Sequence, residues 1–327
     1  VIPAEVAAAW GWRVDQIAPH AGGLINTTYF VREAGAALQR LHPIFGADVN
    51  LDLDAVTAHV AARGLETPRL IRTGDGRAWL DHDGNVWRAL TWIDGESVHA
   101  VPDPAWAEAA GALVGQFHRA VADLDYDYKF VRAGVHDTAA HLAKLRAYAG
   151  DELVDEILAA AAVLPALPQA PRRNVHGDLK ISNVIFRRDP LRAVALVDLD
   201  TLGKGTLAFE LGDAMRSWCN PKGEDEAHAR FELPIFAAAI GAFRAIADPI
   251  VSRDERIAIV HGLETVCLEL AARFCVDAFE DRYFGWDPAR FSSRREHNLV
   301  RARGQLALGL AVRAARADAM DVVLAGT

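Results

Sequence analysis

Lysine is nearly missing from this sequence: five lysines stand against thirty arginines, and none precedes Lys129. Cysteine is also scarce. Cys219, Cys267 and Cys275 make an odd number without the tight Cys and His spacing a zinc site needs, so they read as reduced, small core residues. There is no basic excess. A formal net charge of -9 offers no general attraction to nucleic acid, which is not an expected partner. No basic head leads an apolar core at the start, and no uncharged apolar run reaches about 18 residues, so neither export nor a membrane span is expected. Internal repeats and low-complexity linkers are missing as well. What is present is 51% hydrophobic residues in 327, enough to bury two lobes of a cytoplasmic protein.

Residues 5–17 read as a short helix. HAGGLINTTYFVRE then brings two glycines into a run of high β propensity, and AALQRLH continues as a second strand. Leu53, Val56 and Val60 recur at helical spacing until Gly64 stops the run. LIRTGDGRAWLDHDGNVWRALTWIDG alternates and turns at GDG and DGN, as a three-stranded meander does. Strand, strand, helix and three strands form the layout of a kinase-type N-lobe, set here at residues 1–95. Residues 96–327 are mainly helical by pattern, beginning with a helix that Asp103 caps and Pro104 opens. The expected class is α+β, a protein-kinase-like bilobal fold with an antiparallel-sheet N-lobe and a helical C-lobe.

The chemistry concentrates in RNVHGDLKISNVIFRRDPLRAVALVDLDT, residues 173–201. An apolar strand leads into His176, Gly177 and Asp178. Asn183 opens a second strand, and a third ends on Asp198 and Asp200. Phosphoryl transfer needs a carboxylate near the acceptor hydroxyl and magnesium to screen the β- and γ-phosphates. Asp178 suits the first task. Asn183 and Asp198 suit the second, because magnesium takes oxygen ligands and few protein groups. Asp200 is a candidate second metal ligand or a turn cap, and His176 would brace the loop. Asp213 is expected to cap a helix and anchor the catalytic loop.

HGDLKISNVIF and ALVDLDT resemble the aminoglycoside-phosphotransferase-like kinases, which include choline and homoserine kinases. GGLINTTYFV, LQRLHPIF, FELGDAMR, ELAARF with Asp277, and EHNLVRAR are similar in order and spacing to bacterial N-acetylhexosamine 1-kinases. The sequence departs from that pattern at Leu24 and Gly177. The resemblance implies ATP and magnesium as cofactors, Asp178 as base, metal on Asn183 and Asp198, and phosphorylation of the anomeric hydroxyl of a GlcNAc-like or GalNAc-like sugar. An amino sugar, N-acetylmuramate, choline, ethanolamine or homoserine are alternative acceptors, and a nucleotide-binding pseudokinase is the non-enzymatic alternative.

Protein kinases place a lysine on the third strand to hold the α- and β-phosphates. Here Gln39 or Arg40 would do so, and alternation lets only one face the nucleotide. The LQ pair favours Gln39. Gly22 and Gly23, with Asn26, Thr27 and Thr28, could bring backbone amides to phosphates, and the stretch from Thr91 to Ile93 lies where a hinge would meet adenine. Lys180 could meet the transferring phosphate. Glu269, Arg273 and Asp277 recur at i, i+4 and i+8, a polar line on an apolar helix assigned to the acceptor.

Overall fold

The structure, a computed structural model, describes residues 2–20 and 26–326. Helix α1 (Ala4–Ala9) is shorter than the pattern suggests, because Gly11 turns the chain at φ 73 and a 3-10 turn at 14–16 follows. Strands β1 (Ile17–Pro19), β2 (Thr27–Val31) and β3 (Ala36–Arg40) pair antiparallel in sequence order. Helix α2 (Val49–Ala62) comes next, then β4 (Leu70–Ile71), β5 (Leu80–His82) and β6 (Asn85–Thr91). All three other pairings of this half converge on β6, which bonds to β3, β4 and β5 and completes a six-stranded antiparallel sheet.

Period-two alternation on β6 decides what each face meets. Trp87 and Ala89 join Val6, Ala7 and Trp10 in a core beneath α1. Leu90 faces Leu53, Val56 and Val60 of α2, and Arg88 lies on that same face. The register places Thr28, Gln39 and Arg88 in one row across β2, β3 and β6.

The rest is helical around two small ribbons. The Asp103 carboxylate accepts the Ala105 N–H at 2.8 Å and Pro104 fills the first turn of α3 (Pro104–Ala120), as their order in the sequence implies. Helices α4 (Thr138–Leu145) and α5 (Glu152–Ala161) follow. Then come β7 (Arg173–Val175), the hairpin β8 (Val184–Arg188) and β9 (Leu191–Leu196), and β10 (Gly203–Gly205), which returns to pair with β7. Helix α6 (Leu207–Trp218), α7 (Leu233–Ala247), α8 (Arg253–Glu280), α9 (Arg294–Ala314) and α10 (Arg316–Leu324) complete the chain. The segment Leu233–Ile250 is long and apolar enough to cross a membrane by length and composition. Here Phe236, Ala239, Ile240 and Phe243 are buried against α3, the packing of a core helix.

Helix α6 crosses α8 where Gly262 lies, and a Cβ there would sit 2.0 Å from the Ala208 carbonyl oxygen. Gly241, on the exposed side of α7, would meet no atom within 4 Å. Gly262→Ala should therefore lower the unfolding free energy by about 1–3 kcal/mol through overpacking. Gly241→Ala should raise it by about 0.5–1 kcal/mol through helix propensity. Urea denaturation of the two variants checks the opposite signs.

Candidate active site

The β8–β9 hairpin brings its two ends together, and the candidate residues sit on them. A 3-10 turn at 181–183 delivers Asn183 into β8, and β9 runs out just before Asp198. Asn183 Nδ2 donates to the Asp178 carbonyl oxygen at 2.8 Å and to Asp178 Oδ2 at 3.3 Å. Asp198 has a left-handed backbone, φ 61, and a 3-10 turn at 199–201 follows. Its side chain makes no hydrogen bond or ion pair among the described residues, and its surface opens to solvent. The protein crowded around it, which displaces part of its hydration, then the charges of Asp200 and Asp178, push its carboxyl up to about 6. Lys180 Nζ lies 3.2 Å from Asp178 Oδ1. Burial alone would lower the Lys180 ammonium, yet Asp178, Glu224 and Asp213 outweigh it and hold the group above its usual value.

The loop carrying Asp178 is pinned from α6. Glu210, buried, accepts the His176 N–H at 2.8 Å and the Gly177 N–H at 2.9 Å. His118 Nε2 stands 3.4 Å from the same carboxylate. Trp218 Nε1 donates to the Leu179 carbonyl oxygen at 2.7 Å. His176 braces the loop as expected: fully buried, its ring meets the Val197 carbonyl oxygen at 2.9 Å and the Asp178 N–H at 3.3 Å. Gly177 has φ 81, and a Cβ on it would fall 2.4 Å from the Thr201 carbonyl oxygen, so the position takes glycine. Asp213 neither caps a helix nor holds the loop. It lies inside α6 and pairs with Arg216 at 2.8 Å, one turn beyond the true anchor, Glu210.

Several residues assigned to metal or nucleotide turn inward. Asp200 is 1% exposed and its two oxygens are bound by Arg88, so it is a structural carboxylate and not an open metal ligand. The turn after Asp198 is helical instead of extended, which rotates Asp200 away. Asn26 is buried, with Nδ2 on Asp200 Oδ2 at 2.5 Å and Oδ1 on the His42 N–H at 2.9 Å, so its side chain is built into the fold and not held out to a phosphate. Gln39 faces inward and Arg40 outward. The Gln39 amide is also committed: its oxygen accepts from Arg88 Nε at 2.9 Å and its nitrogen donates to Thr28 Oγ1 at 3.1 Å. Thr27 is exposed beside Arg40. Thr91 and Trp92 give their N–H groups to the carbonyls of Arg69 and Gly35, so Ile93 offers the amide that remains in that stretch. Gly22 and Gly23, with Leu24, lie outside the described residues.

The polar line on α8 divides. Glu269 is fully buried, accepting from Thr138 Oγ1 at 2.6 Å and lying 3.0 Å from His136 Nδ1. Asp277, 3% exposed, accepts the N–H groups of Arg282, Tyr283 and Phe284 and the Asn298 amide, closing the end of α8. Both are structural, because burial obliges a carboxylate to find partners within the protein. Arg273 is different. Its nearest carboxylate, Glu269, is 3.9 Å away, and its guanidinium lies over the rings of Tyr283 and Phe284. It lines a cavity of about 700 Å³ shared with Phe130, Arg132, Lys144 and Glu280.

Residues 16–245 match the model of the phosphotransferase enzyme family. The chain belongs to that family. A homoserine kinase of Pseudomonas aeruginosa is 28% identical over 179 residues, 53% of this chain and 56% of that protein, so the chain spans little more than half of that relative. An aminoglycoside phosphotransferase from Alicyclobacillus acidocaldarius superposes with a TM-score of 0.63 at 17% identity, covering 96% of each chain. An amicoumacin kinase in complex with AMP-PNP, Ca2+ and Ami gives a TM-score of 0.64 at 13% identity, covering 93% of this chain and 91% of that one. The fold is thus bilobal α+β, with an antiparallel N-terminal sheet and a helical remainder.

The donor set of this phosphotransferase fits a hard divalent cation. Among the described residues the Asn183 amide oxygen and the Asp198 carboxylate have no protein partners, and the charges of Asp200 and Asp178 beside Asp198 make the spot strongly negative.

Sequence reasoning missed Glu210 and Arg88. FELGD contained the signal for the first, one helical turn before Asp213. Burial would raise the Glu210 carboxyl, but His118 and the Gly177 N–H hold it below its ordinary 4.5. A depressed carboxyl contributes stability that is full above 4.5 and fades as the pH falls through its lower folded value. Glu210→Gln should cost about 1–3 kcal/mol at pH 7, because one buried backbone N–H then faces a donor. Urea denaturation at pH 7 and at pH 4 should show that deficit shrinking in acid.

Proposed function

We propose that this phosphotransferase is a small-molecule kinase that passes the γ-phosphate of ATP to the anomeric hydroxyl of an N-acetylhexosamine. The observation that carries the reaction class is the convergence of Asp178, Asn183 and the unpartnered Asp198 at one end of the β8–β9 hairpin. In this reading residues 1–95 hold the nucleotide and 96–327 hold the chemistry and the acceptor. Asp178 orients the acceptor hydroxyl and takes its proton as the oxygen attacks phosphorus. Lys180, 3.2 Å from Asp178 Oδ1, fixes the orientation of that carboxylate and would stand beside the phosphoryl oxygens. Asn183 and Asp198 would hold magnesium, which supplies charge screening on the β- and γ-phosphates.

Arg273 supports the acceptor assignment. Among the described residues its five N–H donors have no hydrogen-bond partner, and they suit acyl and hydroxyl oxygens. Around the cavity stand Arg132, Lys144, Arg273 and Arg282, while the Asp277 and Glu280 carboxylates are already satisfied by protein groups. That balance opposes cationic acceptors such as choline or a polyamine antibiotic. It leaves a second reading, an acceptor bearing a carboxylate such as homoserine or N-acetylmuramate, which the homoserine kinase relatives also favour. The cavity is larger than a small amino acid needs, which supports the sugar.

A coupled ADP-release assay over GlcNAc, GalNAc, N-acetylmuramate, homoserine, choline and an aminoglycoside tests the assignment. A hexosamine should exceed choline and the aminoglycoside by at least about tenfold in kcat/KM, the worth of one good polar contact. Silence toward every hexosamine would defeat the sugar assignment. On the preferred acceptor, Asp178→Asn should lose about 10²–10⁴-fold in kcat while still binding nucleotide. Arg273→Met should raise the acceptor KM and leave the nucleotide KM unchanged.

A further inference from the structure

Arg88 is the unexpected residue of the sheet. It is 1% exposed, yet its guanidinium serves three elements at once. Its two terminal nitrogens bind both oxygens of Asp200, Nε donates to Gln39 of β3 at 2.9 Å, and Nη1 lies 3.5 Å from Asn50 Oδ1 on α2. Asn26, which opens β2 from the other side, joins the same carboxylate at 2.5 Å. The cluster therefore ties β2, β3, β6 and α2 to the turn directly behind Asp198. Arg88 is sealed from solvent and four of its five N–H groups are engaged by these partners, so it is not placed to grip a phosphate oxygen.

We propose that Arg88 is a positioning residue that takes the place of the missing N-terminal lysine by gripping the metal loop instead of the nucleotide. In protein kinases the third-strand lysine holds phosphates and the helix glutamate together. Here the third strand carries Gln39, the cation comes from the neighbouring strand, and its carboxylate partner belongs to the segment that presents Asp198. Lysine could not make this contact, since only a planar fork binds both carboxylate oxygens while donating a third bond sideways to Gln39. The sheet thereby sets the position of Asp198, and phosphate is held through the metal and backbone amides. The inference rests on the reading of Asn183 and Asp198 as the metal site.

A double-mutant cycle on the full chain tests it, with AMP-PNP binding measured by calorimetry with and without Mg2+, alongside melting temperature. Arg88→Met and Asp200→Asn should each weaken AMP-PNP binding in the presence of Mg2+ by about tenfold or more. The double variant should be no worse than the weaker single one, because both changes break one contact. Without Mg2+, all four proteins should bind within about threefold of each other, since Arg88 acts through the metal loop and one good contact is worth about tenfold. The single variants should melt lower and the double variant should recover, because removing both partners leaves no buried lone charge. If Arg88→Met does not fold, the neutral Arg88→Gln replaces it in the cycle with the same expectation. Additive losses, equal losses without Mg2+, or wild-type binding would each overturn the proposal. Asp198→Ala separates the two ideas: if it keeps the gain in affinity from Mg2+, the metal assignment fails, whereas its loss beside wild-type Arg88 variants overturns only the role of Arg88.

Discussion

The ion pair between Arg88 and Asp200 is the joint on which the arrangement of the cleft depends. It is buried on both sides, and it spans 112 residues of sequence to hold the sheet against the turn that follows the β8–β9 hairpin. An isolated buried charge is costly, so neither partner can leave the other without a large penalty. The additional bonds from Asn26 and Gln39 add partners to both members of the pair and draw β2 and β3 into the same contact. The exposed pair of Arg187 with Glu66 links the same halves at 2.7 Å, but solvent screens it and it adds little to the joint.

A second buried carboxylate fixes the other side of the cleft. Glu210 holds the backbone at His176 and Gly177, and Trp218 holds Leu179, so the loop is bolted to α6 on both sides of Asp178. Helix α6 can lie that close to α8 because Gly262 has no side chain. Between the two joints the negative groups Asp178 and Asp198 remain, with Lys180 3.2 Å from the first and no ion pair on the second among the described residues. Charge is thus neutralised where the fold needs rigidity and left uncompensated where phosphate and a cation would enter. The cavity under Arg273 shows the opposite balance, a cationic wall whose carboxylates are already spent on the backbone of residues 282–284 and on Lys144 and Arg282.

Local patterns in the sequence foretold the parts of the structure that are themselves local. The spacing of Asp178, Asn183 and Asp198 fits a short hairpin, and the structure places them on its two ends. Asp103 and Pro104 announce α3 because a cap acts within three residues. The failures concern polar residues whose partners are remote. Asn26 meets Asp200 from 174 residues away, and Gln39 meets Arg88 through a sheet register that no single strand reveals. Asp277 looks like a ligand on a helical wheel, yet the chain doubles back and spends it on its own backbone. Asp213 and Glu210 differ by one turn, and only the orientation of α6 against β7 decides which reaches the loop. Asp52 shows the same blindness: its carboxylate accepts the N–H groups of Lys129 and Phe130 and the Tyr126 hydroxyl, contacts without any trace in the helical pattern around it.

A crystal structure of the chain soaked with Mg2+ and AMP-PNP tests the account most directly. The account predicts a metal bound by the Asn183 amide oxygen and Asp198, the γ-phosphate facing Asp178, and Asp200 still paired with Arg88. A metal bound by Asp200 with Arg88 released onto the phosphates, or a nucleotide seated away from Asp178, would contradict it.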